Sequence, residues 1–137
     1  MIARDSQGNF IAARGIPIDS KFDSALAEAQ AALHSTIFAK DLGLSDVIFE
    51  GDAKQIILAI NSEQPCMSSY GHLVDGAVFG VGGLGNSRFS HVKREANCVA
   101  HGLAKLALNL VSEITWVDSL PSEISGLVGK KASFVVL

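Results

Sequence analysis

The chain has few cysteines, few basic residues and no long apolar run, and each shortage excludes a class of protein. Cys66 and Cys98 are the only two cysteines, and their spacing is not that of a metal or redox site, so we expect reduced thiols and no disulfide framework. No stretch approaches the roughly 18 apolar residues of a membrane span. Arg4 and Asp5 stand where a signal peptide has its apolar core. We therefore expect an intracellular protein, nuclear or cytoplasmic, with no membrane partner.

Charge is the second constraint. The 11 lysines and arginines are outnumbered by 14 aspartates and glutamates, which gives a net charge of −3 and a pI of about 5.7. A broadly basic surface that coats nucleic acid is therefore excluded, and a polyanion would have to bind to a local patch. The length of 137 residues and the apolar content of 48% are typical of one globular domain with a single core.

The apolar run Val47-Ile48-Phe49 is followed closely by acidic residues and then by helical spacing over residues 53–61. Such a run predicts a buried strand, and ligands of open α/β sheets lie at strand ends. Asp52 is therefore a candidate functional carboxylate. It is equally a candidate helix N-cap that accepts the backbone N–H groups of Lys54 and Gln55, and one acid could serve both purposes.

Upstream, residues 1–14 predict a hairpin that turns at residues 5–9. A long helix is predicted to be capped by Ser24 and to run to about residue 42. Gly43 is its expected C-terminal stop.

Glu28 lies within that helix and is followed at helical spacing by the small residues Ala31, Ala32 and Ser35. A charged side chain on such a close-packed face is costly unless a cation or hydrogen-bond donors stabilise it. Two interpretations stay open. Glu28 is either a ligand or a first-turn acid favoured by the helix dipole.

Residues 80–85 match G-x-G-x-x-G as letters. The dinucleotide fingerprint requires a strand before the glycines and a helix after them. Here a weak helix is predicted before them, over residues 70–78, and a strand after them, over residues 89–92. We therefore predict a helix-to-strand loop and no cofactor.

Residues 90–107 pass from a strand into an amphipathic helix and carry the one basic cluster, Lys93, Arg94 and Lys105. A solvated run of charge is the ordinary explanation of such a cluster. The segment matters because it completes a set of motifs that extends over most of the chain.

Four stretches occur in the order and spacing of a ribonuclease H type 1 domain, namely residues 4–8, 27–29, 50–53 and 91–97. More closely, residues 1–110 resemble the plant reverse-transcriptase-like branch of that family, which includes retroelement-derived and stand-alone copies. The resemblance implies an α/β fold of three layers, with a mixed β-sheet flanked by helices. By this resemblance, we expect the chain to lack the family's N-terminal, central strand. We expect a domain over residues 1–112 and a C-terminal tail over residues 113–137 with a short helix and a strand.

The resemblance also implies metal-dependent endonucleolytic hydrolysis of RNA in RNA/DNA hybrids, in which carboxylates hold two Mg²⁺ ions. By position, Glu28 and Asp52 are two of the family's four metal-binding acids. The first acid belongs to the missing strand, and His101 occupies the position of the fourth. Imidazole suits softer metals than Mg²⁺, so we expect Mg²⁺ or Mn²⁺ to bind weakly or not at all and the activity to be weak or lost.

The expected partner is an RNA/DNA hybrid or other nucleic acid. The candidate contacts, taken from the matched segments and the basic residues around them, are Lys54, Lys93, Arg94, Asn97 and Lys105. Two alternatives to a hydrolase remain. One is a catalytically inactive nucleic-acid-binding or interaction module, and the other is a truncated retroelement-derived relic.

Overall fold

The chain contains both strands and helices, interspersed along its length, as expected of an α/β protein. A computed structural model describes residues 1–19, 21–120 and 122. None of the described helices is long and apolar enough to cross a membrane. In chain order the elements are β1 (Ile2–Arg4), β2 (Phe10–Gly15), α1 (Ser24–Asp41), β3 (Ile48–Gly51), α2 (Lys54–Asn61), α3 (Gly71–Gly82), β4 (Arg88–His91), a 3₁₀ helix (Arg94–Asn97), α4 (Cys98–Ala107) and β5 (Ile114–Val117).

β2 is the middle strand of a three-stranded antiparallel sheet. On one side it pairs with β1, with Ile2 opposite Ala13, which confirms the predicted hairpin. On the other side it pairs with β5, a strand within the segment assigned to the tail. Residues 123–137, which include the only other part of the tail with strand character, lie outside the described residues.

β3 and β4 form a separate, parallel pair. Phe49 lies opposite Phe89, and the two rings stack with their centroids 4.8 Å apart. An aromatic pair of this kind stabilises a sheet by about 0.5–1.5 kcal/mol beyond the area it buries. Among the described strands, β2 alone pairs with β1 and β4 alone pairs with β3. The predicted mixture of parallel and antiparallel strands is therefore confirmed, with the antiparallel strands in one sheet and the parallel strands in another.

Helices cover both faces of the three-stranded sheet. Alternate residues of a strand point to opposite faces, and β1 follows this rule. Ile2 packs in one buried cluster with Val99 and Leu103 of α4, whereas Ala3 packs in another with Ala32 of α1. α1 and α4 therefore lie on opposite sides of the sheet, which gives the expected three layers.

The ends of α1 were predicted in part. Asp23, not Ser24, is the N-cap, because its carboxylate accepts the backbone N–H of Leu26 at 2.8 Å. Gly43 ends the helix as predicted, with a positive φ of 67°. The N–H of Gly43 donates to the carbonyl of Lys40, as in a Schellman motif.

α3 is longer than predicted and continues through Gly80 to Gly82. Low helix propensity made these glycines look like a loop, but packing against α1 decides the structure. A Cβ atom on Gly80 would collide with the side chain of Thr36 on α1, so the missing side chain lets the two helices approach closely. The segment still has a helix before it and β4 after it, the reverse of the dinucleotide-binding order.

Candidate functional site

A cavity of about 340 Å³ opens between α1, α4 and the end of β3. Its walls are largely apolar, with residues such as Ile16 and Leu103 along them. The polar side chains at this cavity include five of the predicted site residues, Glu28, Asp52, Arg94, Asn97 and His101. These side chains come from segments far apart in the sequence, and the fold brings them to one place.

Glu28 lies in the second turn of α1, which begins at Ser24 and has no acidic residue in its first turn. The interpretation of Glu28 as a first-turn acid is therefore wrong. Burial raises the pKa of its carboxyl, the negative charge of Asp52 raises it further, and the positive charge of Arg94 lowers it. Glu28 and Asp52 are thus close enough to repel each other.

Asp52 follows the last residue of β3 and directs its carboxylate to the segment before α4. Oδ1 accepts the side-chain amide of Asn97 at 3.2 Å, and Oδ2 accepts Nε of Arg94 at 3.2 Å. The second contact is also an ion pair, in which Arg94 is 72% exposed and Asp52 17% exposed. Both carboxylate oxygens therefore have a donor from the protein.

Asp52 does not cap α2 through its side chain, so that prediction was wrong. The N-cap of α2 is Ala53, and it makes no side-chain hydrogen bond. The N–H of Lys54 donates to the backbone carbonyl of Asp52, and the side chain of Gln55 donates to the hydroxyl of Tyr70 at 2.9 Å. The carboxylate is committed instead to groups 42 and 45 residues away in sequence.

Asn97 is the most buried of the predicted nucleic-acid contacts, with 4% of its surface exposed. Its Nδ2 group donates to Asp52, while its Oδ1 atom is buried without a hydrogen-bond partner among the described residues. Buried polar groups are normally hydrogen-bonded, and the acceptor for the Asn97 amide is Oδ1 of Asp52. Asn97 therefore holds the carboxylate of Asp52 in position through this hydrogen bond.

His101 is exposed and lines the same cavity, one helical turn beyond Asn97. Within the described residues, however, no group of three or more His, Cys, Asp or Glu side chains is arranged to hold a metal ion. Glu28, Asp52 and His101 thus share a cavity without forming a three-ligand cluster.

The three lysines predicted to contact nucleic acid lie outside the cavity lining. Lys93 is exposed immediately before the 3₁₀ helix, Lys54 is exposed at the start of α2, and Lys105 is exposed on α4. Among the predicted basic residues, Arg94 alone lines the cavity.

Three further titratable side chains line the cavity and were not predicted from the sequence, namely Arg14, Asp19 and His34. The guanidinium of Arg14 lies 4.7 Å from the ring centre of Phe38 and pairs with Asp41 at 2.8 Å and with Glu113 at 3.3 Å. Burial lowers the pKa of His34, against a raising effect of Glu113. A basic residue near the end of a strand gave no signal that it would bridge α1 and the segment before β5.

A family model described as "Reverse transcriptase-like" matches residues 1–107. The chain belongs to the reverse transcriptase-like family. It therefore contains an RNase H-like domain, and the predicted resemblance is confirmed. Comparison with curated proteins gave no match. In this reverse transcriptase-like domain, the matched residues include the whole Asp52–Arg94–Asn97 contact.

Proposed function

We propose that this RNase H-like domain binds RNA/DNA hybrids through their phosphates and 2′-hydroxyl groups and has lost most or all of the family's hydrolytic activity. The observation that carries the proposal is the Asp52 carboxylate, which is bonded on one oxygen to Asn97 and on the other to Arg94. In this chain Glu28, Asp52 and His101 line one cavity, and the charge of Asp52 is paired with that of Arg94 within the protein.

The exposed cations suit a polyanion that is recognised by shape. A-form-like helices are bound through backbone and 2′-hydroxyl contacts rather than through base edges, and this requires only a local basic patch. The patch we propose, which we name the basic rim, consists of Lys54, Lys93, Arg94 and Lys105, all of them exposed. With three or four phosphate contacts, each contributing roughly −0.7 to −0.9, the slope of log K against log salt should be about −2 to −4.

A divalent metal does not fit the site as it stands. Mg²⁺ prefers near-octahedral oxygen coordination, and two-metal hydrolysis requires two ions about 4 Å apart. The carboxylates at the cavity are those of Asp19, Glu28 and Asp52. Asp19 accepts the backbone N–H of Lys21, and both oxygens of Asp52 already accept hydrogen bonds. His101 offers an imidazole, which suits softer metals. We therefore derive no hydrolytic step for this chain.

The experiment that tests this proposal measures the affinity of the full chain for a short labelled RNA/DNA hybrid over a range of salt concentrations. We expect a slope of about −2 to −4 and tighter binding to the hybrid than to double-stranded DNA of the same sequence. A Lys93→Ala, Arg94→Ala double variant should reduce the slope by about two. It should lower the free energy of unfolding by no more than about 1 kcal/mol, because the Arg94–Asp52 ion pair that it removes is exposed at Arg94.

The matched control is Lys40→Ala. Lys40 is exposed in the last turn of α1, about 18 Å along the helix from Glu28 at 1.5 Å per residue. We expect this variant to keep the wild-type slope. Hybrid affinity that is unaffected by the double variant, or equal loss in the control, would contradict the basic rim.

A further inference from the structure

The ion pair between Arg94 and Asp52 places a positive charge at the cavity that contains the carboxylates of Glu28 and Asp52. We infer that Arg94 is the resident cation of the Glu28–Asp52 carboxylate pair, and that a divalent metal ion can enter this site only by displacing its guanidinium. The inference concerns the same cavity as the proposed function but does not require that nucleic acid binds there.

The geometry commits Asp52 to its protein donors. Asn97 is buried and holds Oδ1 at 3.2 Å, which fixes the plane of the carboxylate, and Oδ2 is then presented to Nε of Arg94. Arg94 and Asn97 are the two ends of one 3₁₀ helix. A single turn of backbone therefore delivers both donors, and the carboxylate is held at both oxygens by one rigid element.

The positive charge of Arg94 acts on both acids. Burial and the charge of Asp52 make ionised Glu28 unfavourable, and the charge of Arg94 opposes them. Two neighbouring carboxylates without a cation would repel each other. The guanidinium therefore supplies the charge compensation that a metal ion would otherwise supply.

An arginine has two advantages over Mg²⁺ in this position. Its guanidinium is weakly hydrated and planar, whereas Mg²⁺ gives up its water reluctantly and demands octahedral geometry. Arg94 is also attached to the same chain, so its contact with Asp52 is intramolecular and benefits from a high effective concentration. The metal must overcome this competition.

If the proposed function holds, Arg94 also binds a phosphate of the nucleic acid. Among the described residues its guanidinium bonds to Asp52 through Nε, and the side chain is 72% exposed. Its terminal amino groups are then available to a phosphate while Nε remains on the carboxylate. Nucleic-acid binding at this site should therefore not depend on divalent metal.

The test of the inference is a Mn²⁺ titration of the folded full chain, without nucleic acid, followed by calorimetry or by the paramagnetic signal of free Mn²⁺. We expect Arg94→Gln to bind Mn²⁺ about five- to tenfold more tightly than wild type, because an exposed ion pair contributes up to about 1 kcal/mol and a neighbouring positive charge is removed. Arg94→Lys should remain close to wild type, because it keeps the charge.

Lys93→Gln is the matched control. Lys93 is exposed and lies next to Arg94 in the sequence, so the substitution removes an equal positive charge one residue away. It should change the affinity for Mn²⁺ less than twofold. The inference is overturned if Arg94→Gln and wild type behave alike, whether both bind or neither binds, or if Lys93→Gln produces the same gain. Because no nucleic acid is present, this failure is distinguishable from a failure of hybrid binding.

Discussion

Asn97 and Asp52 are 45 residues apart in sequence, yet the side-chain amide of Asn97 donates to Oδ1 of Asp52 at 3.2 Å. This hydrogen bond joins the end of β3 to the start of α4 and sets the direction of the carboxylate at the cavity. The orientation of the Asp52 carboxylate therefore depends on an amide that is only 4% exposed.

Removal of the Asp52 carboxylate should destabilise the fold. Asp52→Ala leaves the Asn97 amide buried without its acceptor, and an unsatisfied buried donor costs about 1–3 kcal/mol. Chemical denaturation should show this loss in the free energy of unfolding. Asp75→Ala, at an exposed position of α3, should change it by less than about 0.5 kcal/mol. Equal effects of the two substitutions would contradict the role of the Asn97–Asp52 bond.

His101→Asp should tighten the binding of Mg²⁺, because it adds a hard oxygen ligand at the cavity that contains Glu28 and Asp52. Calorimetry on the folded protein measures the change. His91→Asp is the control, since His91 is exposed at the end of β4 and should leave the affinity unaltered. If His101→Asp has no effect, His101 does not occupy a ligand position.

The stability of the protein should depend on pH through Glu28. Its folded-state pKa is raised above the ordinary value of 4.5, so the native state favours the protonated form. The stability contributed by that form is complete below pH 4.5 and is lost as the pH rises through the raised pKa. Glu28→Gln should therefore increase the melting temperature relative to wild type more at pH 7 than at pH 4. Glu63→Gln, at an exposed site, should show no such difference, and an equal shift at both pH values would refute the burial of Glu28.

The two glycines at the end of α3 should respond in opposite directions to the same substitution. Gly80→Ala places a methyl group against Thr36 of α1 and should destabilise the fold by about 1–3 kcal/mol. Gly82→Ala has open space around its Cβ position and should stabilise the helix by up to about 1 kcal/mol. Thermal melts of the two variants give the comparison, and a Gly80→Ala variant as stable as wild type would contradict the close contact of α1 and α3.

Local patterns in the sequence predicted the local structure well. The hairpin, the strand before Asp52 and the stop at Gly43 all depend on residues within a few positions of one another, where periodicity and backbone preference decide the outcome. The family motifs added the overall class of fold, because they encode an arrangement that no single segment specifies. The position of Asp52 and Glu28 at one cavity followed from those motifs.

The contacts that orient the site were beyond local patterns. Asp52 is more than 40 residues away in sequence from its partners Arg94 and Asn97. From the sequence alone, a helix-capping role for Asp52 was therefore as well supported as a functional one. The extension of α3 through Gly80 was missed for a related reason. Helix propensity is small compared with the packing of one helix on another, and the packing partner, Thr36, is distant in sequence.

Binding of hybrids without cleavage by this domain is tested most directly by one measurement. A short RNA/DNA hybrid labelled on the RNA strand is incubated with the full chain, once in Mg²⁺ and once in a chelator, and both the bound fraction and the length of the RNA are recorded. Glu28→Gln serves as the control for contaminating ribonuclease. We expect comparable bound fractions in the two solutions at matched ionic strength, and intact RNA in Mg²⁺. Mg²⁺-dependent cleavage that Glu28→Gln abolishes, or an absence of binding in both solutions, would contradict it.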